Sequence, residues 1–168
     1  IGDLHERLAV IDAAQKNLTN LSQQMVGLQD ILSNKQARGA FGEIQLNDLV
    51  SSMLPPSAFQ FQATLSNGKR VDCLLNLPNP PGFIAVDAKF PLESYRALND
   101  AKGNAALVQA SRTFSADIKK HIEAIASKYI IPGETAESAL MFLPSESIFT
   151  ELHINFQNTI EHSWKRKV

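Results

Sequence analysis

The chain has 168 residues, of which 44% are hydrophobic and 20% charged, a composition typical of a globular domain with a sizeable core and unlike that of a disordered segment. A net charge of −1 and a pI of about 6.5 mean that any polyanion must be bound by a local patch. Cys73 is the only cysteine, which excludes an internal disulfide and a cysteine-rich zinc site. No apolar run approaches the roughly 18 residues of a membrane span.

The first segment carries a heptad repeat of apolar residues. They lie at Leu4, Ile11, Leu18, Met25 and Leu32, with Ala14, Leu21 and Leu28 three residues after the middle three. This spacing is typical of a coiled coil, although Arg7 at one seam position and Gly27 within the helix weaken it. We therefore predict a coiled-coil helix over residues 1–36 that joins copies of the chain into a homo-oligomer. An amphipathic helix packed on its own domain is the alternative.

A second helix is predicted to begin at Gly39 and to end at Leu54, before two consecutive prolines. On a helical projection Glu43 lies within about 20° of Val50 and Leu54, so its side chain points along the apolar face. Burying a lone carboxylate is costly unless it is paired or bound to a metal. A glutamate in the first turn is also favoured by the helix dipole, and the helix alone does not separate the two explanations.

Three apolar runs are predicted to form an antiparallel meander of strands. Residues 59–65 alternate between apolar and polar side chains and are followed by an Asn-Gly turn. Residues 71–77 and 83–90 are joined by a loop rich in proline and glycine at residues 79–82, which reads as a hairpin.

The hairpin loop brings an aspartate of one strand opposite an aspartate of the other. If the loop is centred between Asn79 and Pro80, Asp72 faces Asp87. Directly opposed side chains lie roughly 4.5–5.5 Å apart, where like charges are destabilising, so a cation is expected between them. A divalent metal fits carboxylate oxygens, and Lys89 lies on the same strand face as Asp87. The alternative is two unrelated strand-end aspartates with a solvated lysine, and a slip of one residue would separate them.

The rest of the chain is predicted to form helices and one further strand. These are helices at residues 92–99 and 105–128, a strand at 138–143 and a helix at 146–164. Ser145 is predicted to cap the last helix. Glu146 lies at the end of the predicted strand, where active-site residues often gather, although stabilisation by the helix dipole is the favoured explanation.

Four stretches of this sequence together resemble the RmuC family of bacterial DNA recombination proteins. They are GAFGEIQL at residues 39–46, RVDCLLNLP at 70–78, VDAKFPLESY at 86–95 and LMFLPSE at 140–146. The resemblance covers about residues 39–168, and the heptad segment matches the coiled coil that family members carry upstream. The order of the elements also resembles the core of the PD-(D/E)xK nuclease superfamily.

The resemblance implies a mixed α/β (α+β) fold with a restriction-endonuclease-like core. This core is a helix, a three-stranded meander, a helix, a strand and a helix within residues 37–168, and the coiled-coil helix at residues 1–36 precedes it. Family members continue into a further strand and helix, so the resemblance also implies a domain truncated at its C-terminal end, with an edge of the sheet absent.

The resemblance further implies metal-dependent hydrolysis of DNA. The acid pair of the superfamily motif falls on Asp72 and Asp87, and its lysine on Lys89. The helix acid of the motif falls on Glu43. Val71 stands where the motif has a proline, a departure of little weight because that proline shapes the strand entrance and binds nothing.

By the same resemblance, Mg²⁺ or Mn²⁺ would be the cofactor. Its ligands would be the side chains of Asp72, Asp87 and Glu43 and the main-chain carbonyl of Ala88. Lys89 would orient the attacking water or neutralise charge in the transition state. Asp72, Asp87, Lys89 and Glu43 are thus the implied catalytic residues.

Gln62 and Glu146 are candidates for positioning the substrate, although a glutamine on a strand face needs no such role. The predicted partners are DNA and further copies of the chain, with no small-molecule cofactor. The predicted location is the cytoplasm, with the nucleoid, and an upstream membrane anchor is left open. Two alternatives to a nuclease remain at this point: a nuclease-like scaffold that binds DNA or a protein without cutting, and a structural protein dominated by its coiled coil.

Overall fold

The structure is a computed structural model, and it describes residues 34–168. This part of the chain contains five α-helices and four strands. In chain order they are α1 (Lys35–Met53), β1 (Phe59–Thr64), β2 (Arg70–Asn76), β3 (Phe83–Ala88), α2 (Leu92–Asp100), α3 (Asn104–Tyr129), β4 (Leu140–Phe142), α4 (Glu146–Asn155) and α5 (Gln157–Lys165). The predicted coiled coil lies outside the described residues except for its last three positions, so it stays a prediction.

The four strands form one mixed sheet in the order β1-β2-β3-β4. The first three are an antiparallel meander, and β4 pairs with β3 in parallel, which confirms the predicted α+β class. Three strands are shorter than predicted, and β1 lacks only its last predicted residue. β3 ends at Ala88 because Pro91, three residues on, has no N–H to continue a ladder. β4 begins at Leu140 because the N–H of Ala139 donates to the carbonyl of Lys167.

The β2–β3 hairpin has the register expected from its loop. Cys73 pairs with Val86, and the next row of the same register places Asp72 opposite Asp87. Gly82 closes the loop with a φ of 80°, a conformation that glycine adopts without steric cost. The predicted register of the hairpin is therefore confirmed, and Asp72 and Asp87 lie one row beyond its last pair.

Helices cover both faces of the sheet. On one face, α1 packs on β2 and β3 in what we call the α1 cluster, formed by Leu46, Val50, Cys73 and Val86 with Phe59, Phe61, Ala88 and others around it. On the other face, the end of α3 packs in the α3 cluster, formed by Ala63, Leu65, Val71, Ala85, Ile125, Tyr129 and Ala139. A third cluster joins α2, α3, α4 and α5 through Leu98, Phe114, Ile118, Ile122, Ile148, Leu152 and Ile160.

The alternation of side chains along β1 reverses at Gln62. Phe61 packs at the α1 cluster, but Ala63 belongs to the α3 cluster on the opposite face. Side chains two positions apart on a regular strand lie on the same face, so the backbone between these two residues must depart from regular geometry. It does so at Gln62, where φ is 53°.

The neighbouring strand reverses its alternation on the same row. Cys73 packs in the α1 cluster and Val71 in the α3 cluster, with Asp72 between them. The register pairs residue 61 with 73 and residue 63 with 71. Gln62 and Asp72 therefore share the row at which both strands change face.

Helix α1 begins four residues earlier than predicted, at Lys35 instead of Gly39. The side-chain oxygen of Asn34 accepts hydrogen bonds from the backbone amides of Gln36 and Ala37 at 2.8 and 3.2 Å. Asparagine is among the best N-cap residues because it satisfies amides that have no partner within the helix. Residues 35–38, which precede the predicted start of this helix, thus form its first turn.

The last predicted helix is two helices, α4 and α5, separated at Phe156. Phe156 leaves helical geometry with φ −128° and ψ 53°, and its ring packs edge-on against Phe114 at 4.9 Å between centroids. Ser145 caps α4 as predicted, since its hydroxyl accepts the N–H of Ile148 at 3.3 Å. None of the helices within residues 34–168 combines the length and apolar character needed to cross a bilayer.

Candidate active site

Glu43 projects from the middle of α1 toward the sheet. Because α1 begins at Lys35, Glu43 lies two turns inside the helix, beyond the first turn to which the dipole effect is confined. Gly42, directly before it, allows close approach: a Cβ on Gly42 would lie 3.4 Å from a side-chain carbon of Pro144 and 3.6 Å from the Cβ of Ala88. The helix dipole therefore does not explain why a glutamate stands at position 43. The position of Glu43 near the ends of β3 and β4 requires another explanation.

Asp72 is tied to the end of β3. The N–H of Ala88 donates to Asp72 Oδ2 at 2.8 Å, so one carboxylate oxygen is held by backbone. Asp72 is only partly buried, and its charge acts on both neighbouring acids. Its carboxylate is thus the central one of the three.

Asp87 is the buried member of the group, with 4% of its surface exposed. Lys89 Nζ lies 3.0 Å from Asp87 Oδ2, although Lys89 follows the end of β3. This contact is an ion pair, and no hydrogen-bond donor is aligned on the buried Oδ2. Burial, and then the negative charge of Asp72, raise the pKa of Asp87 to about 6, against the opposing effect of Lys89.

The pKa of Glu43 is also raised. Burial is the largest cause, followed by the negative charge of Asp72 and a hydrogen bond with it, while the positive charges of Arg70 and Lys89 act in the opposite direction. Gln62 Nε2 donates to Glu43 Oε2 at 3.3 Å and so links β1 to α1. Three carboxyl groups whose charges disfavour one another therefore meet at one place.

The structure thus brings together most of the residues predicted from the sequence. They are Glu43, Gln62, Asp72, Asp87, Ala88 and Lys89. Glu146 is placed elsewhere: it is exposed in the first turn of α4 and lines a groove of about 490 Å³ with Gln45 and Pro144.

Two residues near the acids were not predicted from the sequence. Arg70 lies two positions before Asp72, and its charge lowers the pKa of Glu43. Tyr129, at the end of α3, donates its hydroxyl to the carbonyl of Arg70 at 3.0 Å. Burial, and then the charges of Asp87 and Asp72, raise the pKa of Tyr129 to about 12. The spacing to Asp72 could have indicated Arg70, but no local pattern connects Tyr129 to residues that lie 42 or more positions before it.

The donor set fits a hard divalent cation. Within residues 34–168, no group of three or more histidine, cysteine, aspartate and glutamate side chains is arranged as a ready metal site. However, the buried Oδ2 of Asp87 has no aligned donor, and burial together with neighbouring acids raises the pKa of both Asp87 and Glu43. Carboxylate and carbonyl oxygens are the ligands that Mg²⁺ and Mn²⁺ prefer. A bound cation would relieve the repulsion among these groups, a role that Lys89 and Arg70 fulfil in part.

Comparison with known proteins gives the family. A model described as "RmuC family" matches residues 2–168. This chain belongs to the RmuC family. The RmuC resemblance of the four sequence stretches is confirmed by this match, whereas membership in the PD-(D/E)xK nuclease superfamily stays a prediction.

Curated RmuC relatives carry the name "DNA recombination protein RmuC homolog". The chain is similar to the one from Xylella fastidiosa strain Temecula1, with 28% identity over an alignment of 155 residues that covers 84% of this chain and 34% of the relative. It is 32% identical to the one from Chlamydia pneumoniae over an alignment of 157 residues that covers 89% of this chain and 35% of the relative. The chain therefore spans about a third of the length of these relatives. No solved structure matches the chain closely enough to support a comparison.

Proposed function

We propose that this RmuC-family chain contains the catalytic core of a metal-dependent nuclease that hydrolyses DNA phosphodiester bonds during recombination. One observation carries the proposal: Asp87 is buried opposite Asp72, with Lys89 against it and Glu43 brought to the same place from α1. Clusters of acids with raised pKa values are typical of functional sites. The name of the curated relatives supports the link to recombination.

The acids would serve as metal ligands. Asp72, Asp87 and Glu43, with the carbonyl of Ala88, would hold Mg²⁺ or Mn²⁺. When bound, such a metal lowers the pKa of a water ligand and polarises a phosphoryl oxygen. Because the ligands must be ionised, and the pKa of Asp87 is about 6, this side chain would be mostly ionised at neutral pH, and the metal would have to displace its proton only at about pH 6 and below.

Lys89 would act on the phosphate. About a third of its side chain is exposed, so the ammonium can reach a bound substrate while it stays next to Asp87. A cation held beside the scissile phosphate stabilises the negative charge that develops during transfer, and it needs no reorganisation to do so. Lys89 can also donate to the attacking water, since an ammonium has three N–H donors.

The test compares wild type with Asp87→Ala on linear, branched and single-stranded DNA while Mg²⁺ or Mn²⁺ is titrated. We expect metal-dependent products from wild type and a loss of about 100-fold or more in Asp87→Ala, as when one electrostatic element of an active site is removed. Asp100→Ala, which removes an exposed acid at the end of α2, is the matched control and should cut like wild type. Equal residual activity in wild type and Asp87→Ala would refute the proposal.

A catalytically silent scaffold is the second candidate. The observation that favours it is the ion pair of Lys89 with Asp87, together with the lack of a ready metal site within residues 34–168. In that case the domain would bind DNA or a protein partner without cutting. Salt-sensitive DNA binding with no products under any divalent metal, unchanged in Asp87→Ala, would establish it.

Self-association through the heptad segment is proposed as well. Leu18 and Leu21 lie on the seam in the middle of the repeat, where a charge would be placed against apolar partners. Sedimentation should show an oligomer for wild type and a monomer for Leu21→Lys, with Asn20→Lys as the control outside the seam. An oligomer that survives Leu21→Lys would rule out this route.

A further inference from the structure

Gln62 has a backbone conformation that its position in a strand does not explain. Its φ of 53° is in the left-handed region, and within residues 34–168 the only other non-glycine residue with positive φ is Lys167. This region is uncommon for residues with a Cβ, particularly for long side chains. Strained backbone of this kind persists only where the surroundings impose it, and it is concentrated at functional sites.

The strained residue stands beside the three acids. Gln62 shares the row of Asp72, at which β1 and β2 both change face. It is half-buried, and its side-chain amide donates to Glu43 Oε2 at 3.3 Å. The departure from regular strand geometry therefore coincides with a contact that joins the edge strand to the helix carrying Glu43.

We propose that Gln62 is a positioning residue for Glu43: the left-handed turn of β1 aims its amide at Glu43 Oε2 and so fixes the orientation in which this carboxylate would meet the metal. The inference rests on the proposed metal-dependent function. A neutral amide suits this role because it can orient a carboxylate and leave its negative charge in place. A lysine or arginine would neutralise that charge. Partners that orient a metal ligand in this way usually tune metal affinity strongly.

A different explanation for the strain is protection of the sheet edge. β1 is an outer strand of the sheet, and a kink there would prevent pairing with another chain. If the kink only protects the edge, the backbone conformation of residue 62 is required but its side-chain amide is not. Substitutions that remove the amide with and without relieving the backbone strain therefore distinguish edge protection from positioning of Glu43.

The experiment measures Mn²⁺ affinity and thermal unfolding of the full chain in wild type, Gln62→Gly and Gln62→Ala. Both variants remove the amide, but only glycine also relieves the strain. We expect both to bind Mn²⁺ about tenfold more weakly, while the melting temperature of Gln62→Gly is at least that of wild type and above that of Gln62→Ala. Gln60→Ala, an exposed glutamine of the same strand, is the control and should leave both quantities unchanged.

A double-mutant cycle with Glu43→Gln shows whether Gln62 acts through Glu43. The loss of Mn²⁺ affinity caused by Gln62→Ala should disappear in the Glu43→Gln background, and its persistence there would overturn the inference. Wild-type affinity in Gln62→Gly would overturn it as well, while leaving the proposed function intact. A wild-type chain that binds no Mn²⁺ would overturn both.

Discussion

Asp87 and Asp72 lie one row beyond the last pair of the β2–β3 ladder, where burial, and then the charge of Asp72, raise the pKa of Asp87 to about 6. Two carboxyl groups placed this way work against the stability of the metal-free fold. Their arrangement is explained if the site is organised for a ligand and not for stability, since functional sites often carry such a cost.

The first prediction concerns the stability of the metal-free protein as a function of pH. The pKa of Asp87 is about 6 in the folded chain and 3.8 without the fold, so the folded state holds the proton more tightly between these values. The free energy of unfolding should therefore fall as pH rises from about 4 to about 6, by at most about 3 kcal/mol, and level off above. Urea titrations in EDTA at several pH values measure it. Asp87→Asn should lack this decline; an equal decline in both proteins would assign it to another group.

The second prediction concerns the close approach of α1 to the sheet. Gly42→Ala places a Cβ at ordinary contact distance from Pro144 and Ala88, and alanine is the better helix former, so stability should rise by up to about 1 kcal/mol. Gly42→Val adds two methyl groups where there is no room, and it should destabilise by about 1–3 kcal/mol. Thermal unfolding measures both. Gly39→Val, which faces open space, is the control and should not lose stability, because valine is a better helix former than glycine; a similar loss in both valine variants would show that crowding against Pro144 and Ala88 is not the cause.

The third prediction concerns the core between α3 and α5. Phe114 is fully buried and contacts the rings of Tyr95 and Phe156. Phe114→Ala should lower the free energy of unfolding by about 3–5 kcal/mol because it leaves a cavity. Chemical denaturation provides the measurement. Leu107→Ala, on an exposed part of the same helix, should change it by no more than about 0.5 kcal/mol.

The fourth prediction concerns the start of α4. Removing the Ser145 hydroxyl, which accepts the N–H of Ile148, should cost about 1 kcal/mol, whereas Ser145→Asp should retain the cap. Ser147→Ala, one residue inside the helix and exposed, provides the comparison in a thermal melt. If Ser145→Ala and Ser147→Ala unfold at the same temperature, the cap contributes nothing measurable.

Several features of the fold could be predicted because they depend on residues close in sequence. The facing of Asp72 and Asp87 followed from counting along the strands from a short loop, since an antiparallel hairpin keeps its register over a few residues. The cap at Ser145 likewise depends on four consecutive residues, 145–148. The predicted start of α1 at Gly39 was wrong because the side chain of Asn34, five residues earlier, caps the helix.

The division of the last helix could not be predicted from the local pattern. Phe156 leaves the helix where its ring meets Phe114, 42 positions earlier in the chain. Such a contact depends on how α3 and α5 pack, and periodicity within residues 146–164 carries no information about it. Local propensity is overridden when tertiary packing stabilises a different backbone.

The sequence by itself determined the strand order of the meander, the register of its hairpin and the identity of the acids that face each other, because these follow from short-range periodicity and loop length. Only the tertiary structure decided how these groups behave chemically. The raised pKa of Asp87 depends on burial beneath packed helices, and the contact of Gln62 with Glu43 depends on α1 lying close to a strained turn of β1. Desolvation and contact between distant residues arise only when the whole chain has folded.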